Sequence, residues 1–106
     1  MIFRRRFAEL IERQLDLFAQ DEAELLEEIE KAERAYDDAA REEAEERFGE
    51  YSDLVAEGTE RLAEIRDHYA ASLDEETAPE YEAAFNQAVL RRFAPLALEL
   101  EDDEDG

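Results

Sequence analysis

Apolar residues recur along this chain at steps of three and four, and the phase of that recurrence divides it into helices. Ala44, Phe48, Tyr51, Val55, Gly58, Leu62, Ile65, Tyr69 and Leu73 share one phase, and most residues between them are Glu, Asp, Arg or small. Such a pattern predicts a helix with one apolar seam. A single helix cannot bury so long a seam, so the rest of the chain or another chain must supply a matching face.

The matching face is upstream. Phe3, Phe7, Ile11, Leu15, Phe18, Leu25, Ile29, Ala32 and Tyr36 step in the same way, with one gap at Asp21 and Glu22. Asp21-Glu22-Ala23-Glu24 has the form of a capping box, but the seam resumes in phase beyond it, which predicts one continuous or slightly bent helix. Between Tyr36 and Ala44 the phase is lost. The chain is therefore expected to reverse at 37–41, with Asp38 as a possible cap and Gly49 as the competing, second-ranked break.

These signals predict an all-α fold: a long antiparallel helical hairpin, about 2–36 and 41–73, paired in coiled-coil fashion. Phe18 is expected near Leu62, and Phe7 near Leu73. After Leu73, Thr77-Ala78-Pro79-Glu80 is a helix start signal with a capping threonine and an early proline. It opens a shorter third helix, about 78–98, whose Tyr81, Phe85, Ala88, Val89 and Phe93 must pack back on the hairpin, with Pro95 kinking or ending it. At roughly 1.5 Å per residue it spans about 30 Å, enough to cover the half of the hairpin nearest the termini but not the tip. Gly58 lies where a large ring, Phe85 or Phe93, is expected to approach the backbone.

This geometry leaves apolar surface over. Leu25, Leu26, Ile29, Phe48, Tyr51, Leu54 and Val55 lie in the uncovered half and present more than one facing helix fills. They are the candidate surface for self-association, as a homodimer, or for a protein partner.

Composition supports a folded chain. Its 106 residues suffice for one domain, expected over 1–98, and the hydrophobic fraction is 44% with six Phe and four Tyr. Three Gly and two Pro punctuate it, and β-branched residues are scarce, so strands have nothing to start from. The formal charge of −21 opposes binding to nucleic acid or anionic lipid. It also raises a second reading, an acidic decoy or chaperone-like protein that occupies a basic, nucleic-acid-binding partner. Lys31 is the sole lysine, a bias that also fits a GC-rich genome or adaptation to high salt. Residues 99–106 form an acidic tail, expected to be solvated and disordered or, alternatively, folded onto Arg4, Arg5 and Arg6.

Chemistry-bearing motifs are few. Without cysteine there is no disulfide framework or thiolate site. The basic start, Met1 to Arg6, is not followed by an apolar h-region, and no window suits a membrane span, so a cytoplasmic place is the default expectation. His68, with Glu64 and Asp67 nearby, reads as a partly exposed structural histidine, because a helical di-metal site wants a Glu and a His three apart on two helices and position 65 is Ile. A carboxylate-rich metalloprotein is thus the third reading. No metal ligand, cofactor site or catalytic residue is assigned. Glu43, the acid nearest the phase shift, is explained by the turn, and Asn86 and Gln87 by exposed helix surface. Phe3-Arg4-Arg5-Arg6-Phe7 reads as core aromatics with a solvated arginine rim, and Arg91 and Arg92 suit a helix C-terminus. The chain is expected to be a non-enzymatic interaction protein.

Overall fold

The computed structural model describes residues 2–97, with side chains from Arg6 onward. The order is α1 (Ile2–Asp21), α2 (Ala23–Asp37), α3 (Arg41–Ala70) and α4 (Ala78–Arg92), followed by a short helical turn at 94–97, and no strand occurs among the described residues. The expected tail at 99–106 and the last expected residue of the third helix, Leu98, lie outside the described residues.

The chain reverses where the phase is lost. Asp38 closes α2 by donating its N–H to the Arg34 carbonyl at 3.0 Å, and Ala39 donates to Tyr36 at 3.2 Å. Ala40, in extended geometry, then precedes α3 and makes no side-chain cap. Asp38 therefore ends one helix and does not cap the next, whose first turn carries Glu42 and Glu43 instead, the favourable charge at a helix N-terminus. Gly49 lies inside α3 and interrupts nothing.

The gap at Asp21 and Glu22 is a genuine bend. Glu22 leaves helical geometry at φ −112, ψ 31, with no side-chain cap, yet Glu22 N–H to Phe18 and Leu26 N–H to Glu22 remain hydrogen bonds at 2.9 Å. The carboxylate occupies a seam position, one turn after Phe18, and meets the Arg61 guanidinium of α3 at 3.7 Å. Beyond this point the partners change: α2 packs on α3, whereas α1 packs chiefly on α4.

Helix α4 wedges between α1 and α3. Its Tyr81, Phe85 and Val89, spaced by four, are fully buried. Phe7 and Phe18 of α1 thus stack edge-on against Tyr81 and Phe93, both at 5.4 Å. The expected direct pairing of α1 with α3 is replaced by pairing through α4, because large rings on the third helix fill the space between. Burying each such ring contributes about 1.5–3 kcal/mol.

Capping at the start of α4 differs from the expected box. Thr77 makes no cap bond from its side chain to the helix; Asp74 Oδ1 accepts the N–H groups of Glu76 at 3.1 Å and Thr77 at 2.7 Å. The Asp74 carboxyl is held below the usual carboxylate range, first by the Thr77 hydroxyl and then by these amides. The chain ahead of α4 is already turning, with Ala78 N–H bonded to the Asp74 carbonyl at 3.0 Å.

At its far end α4 stops at Phe93, and the turn at 94–97 swings Leu96 onto α3. A Cβ on Gly58 would lie 3.2 Å from Leu96 Cδ2 and 3.6 Å from Ile29 Cδ1, so Leu96 and Ile29, not Phe85 or Phe93, approach this glycine. The buried Thr59 hydroxyl donates to the Leu96 carbonyl at 3.2 Å. The turn after Phe93 thus covers α3 at Gly58 and Thr59.

Candidate functional site

Beyond Leu96 only α2 and α3 remain, and the seven candidate residues divide there by depth. Leu25, Ile29 and Val55 are buried in the core where α2 packs on α3, with Leu96 and Ile29 meeting at Gly58. They are not available to a partner. Leu26, Tyr51 and Leu54 are half-buried against that core, and Phe48 is 50% exposed.

The exposed part of this set is aromatic. Tyr36, in the last turn of α2, is 39% exposed and lies 5.5 Å from Phe48, centroid to centroid, at a tilt of 57°. Phe48 lies 6.5 Å from Tyr51, three residues on along the same face of α3. The antiparallel turn brings them together: it sets the last turn of α2 beside the first half of α3. Tyr36 was not among the predicted surface residues, although the signal existed, since it is the last seam position before the phase is lost.

Carboxylates frame the rings. The Tyr51 phenol is pushed above its ordinary value by burial first, and then by the negative charges of Glu33 and Asp37. Glu33, Tyr36 and Asp37 share one face of α2 by their spacing. On α3, Arg47 is engaged by Glu50 at 2.8 Å. Where the chain places a guanidinium over an aromatic ring it does so elsewhere: Arg6 over Phe7 at 5.7 Å and Arg92 over Phe93 at 5.4 Å.

No family model, curated protein or solved structure matches the chain.

Two grooves flank α1. One, of about 350 Å³, runs between α1 and α4 over Ile11 and is walled by Ala8, Ala84 and Ala88. The other, of about 360 Å³, lies between α1 and α3, lined by Leu17, Phe18 and Ile65 beside the Glu22–Arg61 pair. Neither gathers groups with an obvious chemical task.

The remaining candidate chemistry is placed as follows. His68 is exposed, as are Glu64, Asp67 and Glu43. Among the described residues no three acidic or histidine side chains converge where they could hold a metal ion, and no helix is long and apolar enough to cross a membrane.

One polar site was not anticipated. Arg66 is only 6% exposed and its guanidinium donates to Asp67 Oδ1 at 2.9 Å and to Asn86 Oδ1 of α4 at 3.1 Å. The buried line of α3 runs Leu62, Arg66, Ala70, while Ile65 and Tyr69 are half-buried. Near its end the helix thus turns an arginine inward against α4. The contact couples two helices and leaves no buried side-chain nitrogen or oxygen unpaired among the described residues. Asn86 is accordingly a packing contact, and Gln87 is exposed.

Proposed function

We propose that this chain is a non-enzymatic helical interaction protein that holds a protein partner at the hairpin tip, with Phe48 at the centre and Tyr36 and Tyr51 at its sides. The observation that carries the reading is the three-ring cluster on the one section of the hairpin that α4 and Leu96 leave uncovered. Aromatic residues supply large, stiff contact area at small entropic cost and are the usual anchors of protein interfaces. Elsewhere the large exposed apolar residues, Leu17 and Leu90, stand on different helices and form no comparable cluster among the described residues.

The test is site-specific photocrosslinking in the native host. A benzoylphenylalanine at position 48 is expected to give a discrete protein adduct that the same probe at Glu82 does not give. Light scattering on the purified chain, at low and high salt, separates the two classes of occupant. A dimer abolished by Phe48→Glu would assign the tip to a second copy. A monomer with an adduct assigns it to another protein. Equal labelling from both positions would refute a tip-centred interface.

A further inference from the structure

The chemistry of that partner can be taken further, in an inference that rests on the tip being an interaction surface. We infer that the tip is an arginine-binding site: a guanidinium carried by a basic protein segment stacks on Phe48 between Tyr36 and Tyr51, with Glu33 and Asp37 as counter-charges.

Three observations converge on this occupant. The first is ring geometry, since centroids 5.5 and 6.5 Å apart with tilts of 57° and 47° present a continuous aromatic surface whose middle ring is half-exposed. A cation within about 6 Å of a ring centroid is attracted by the negative ring face. Secondly, the position is open. The chain covers Phe7 and Phe93 with its own Arg6 and Arg92, but no arginine or lysine of the described residues sits over Tyr36, Phe48 or Tyr51. Arg47, the nearest in sequence, is held by Glu50. The third is charge: Glu33 and Asp37 both act on the Tyr51 hydroxyl, and exposed Glu42, Glu43, Glu45 and Glu46 follow the turn.

The same charge argues against a second copy as the occupant. Joining two tips of a chain with net charge −21 would bring those carboxylates together, and like-charge juxtaposition across an interface is strongly unfavourable. A basic segment gains from the same field. Arginine suits the tip better than lysine because its planar, weakly hydrated guanidinium can stack on a ring while its edge donates hydrogen bonds to a carboxylate, whereas an ammonium is a strongly hydrated point charge.

The experiment is an aromatic carbon–proton correlation titration of the full chain, with blocked tri-arginine and blocked tri-lysine peptides as probes at near-physiological salt. Tri-arginine is expected to shift the ring signals of Tyr36, Phe48 and Tyr51 in one saturable step. Phe48→Leu is expected to weaken that step about two- to fivefold, the range for one exposed cation–π contact, with an unchanged melting temperature. The pair Glu33→Gln and Asp37→Asn should weaken it comparably and flatten its salt dependence. Tri-lysine should bind more weakly.

The inference is overturned if the tip signals do not move, or if they move no more than rings elsewhere and Phe48→Leu binds like wild type, which is generic charge attraction. It is also overturned if tri-lysine matches tri-arginine. A crosslinked adduct at position 48 together with inert tip signals would leave the interaction surface standing and remove arginine as its ligand.

Discussion

Two glycines in one helix give a controlled measurement of how the cover over the hairpin is held. Gly49 and Gly58 both lie in the interior of α3, and neither has a positive φ. Replacing either with alanine removes the same excess of backbone freedom from the unfolded chain, which stabilises an interior helical position by about 0.8–1 kcal/mol. At Gly49 nothing lies within 4 Å of the added methyl, so the whole gain should appear. At Gly58 the methyl would lie 3.2 and 3.4 Å from the two Leu96 methyls. Leu96 is 2% exposed, and its carbonyl is tied to Thr59, so it has little room to retreat. Overfilling a packed core costs about 1–3 kcal/mol.

Gly49→Ala is therefore expected to raise stability by about 1 kcal/mol, or several degrees in melting temperature. Gly58→Ala should be neutral to about 2 kcal/mol destabilising. Urea unfolding followed by circular dichroism reads both. The contact itself is isolated by a double-mutant cycle with Leu96→Ala, which alone costs about 2–5 kcal/mol and should cost less once position 58 carries the methyl. If Gly58→Ala stabilises as much as Gly49→Ala and the cycle is additive, Leu96 does not seat on α3. The cover would then end earlier, and Ile29 and Val55 would rejoin the exposed surface.

Two further outcomes follow from buried polar groups. Burial pushes the Tyr81 phenol up to about 12, outweighing the opposing hydrogen bond it donates to Gln14 at 2.8 Å. Its unfolded value is near 10, so between the two the unfolded state has released the proton that the native state still holds. Stability is then full below about pH 10 and falls by roughly 2–3 kcal/mol as pH rises towards 12. Urea midpoints across this range should show the loss in wild type and much less of it in Tyr81→Phe. At the α3–α4 contact, Asn86→Leu removes an acceptor from the buried Arg66 and should cost about 1–3 kcal/mol. Arg66→Met removes the buried charge and leaves behind the exposed Asp67 carboxylate and the half-buried Asn86 Oδ1, so it should cost less than Asn86→Leu, under about 1 kcal/mol; the reverse order in chemical denaturation would refute the assignment.

The fold class was legible because its signals are local. Seam residues at steps of three and four specify helices whatever they pack against, and the loss of phase after Tyr36 marks a turn that Asp38 and Ala40 make. What escaped was relational. Glu22 sits in a seam that resumes in phase, so the letters do not show that the helix changes partner there; the change follows from the volume of Tyr81, Phe85 and Phe93, which must go between α1 and α3. Gly58 announced a close approach but not by whom, since Leu96 reaches it only through the turn after Phe93. Arg66 was not singled out because periodicity counts the type of residue and not its burial, although it lies one turn from both Leu62 and Ala70.

The candidate surface was half legible for the same reason. Counting apolar letters beyond the expected end of the third helix placed Leu25, Ile29 and Val55 with Phe48 and Tyr51, as though the hairpin were uncovered from one level upward. In the fold Leu25, Ile29 and Val55 go into the core, Leu26, Leu54 and Tyr51 are half-buried, and the one exposed member is the ring of Phe48, beside Tyr36. This sorting bears on function: a leftover aliphatic face suits a second copy of the same hairpin, whereas rings framed by Glu33 and Asp37 suit a cation. If the tip holds an arginine as proposed, the acidity and the apolar remainder, which as sequence features supported two separate readings, become parts of one surface.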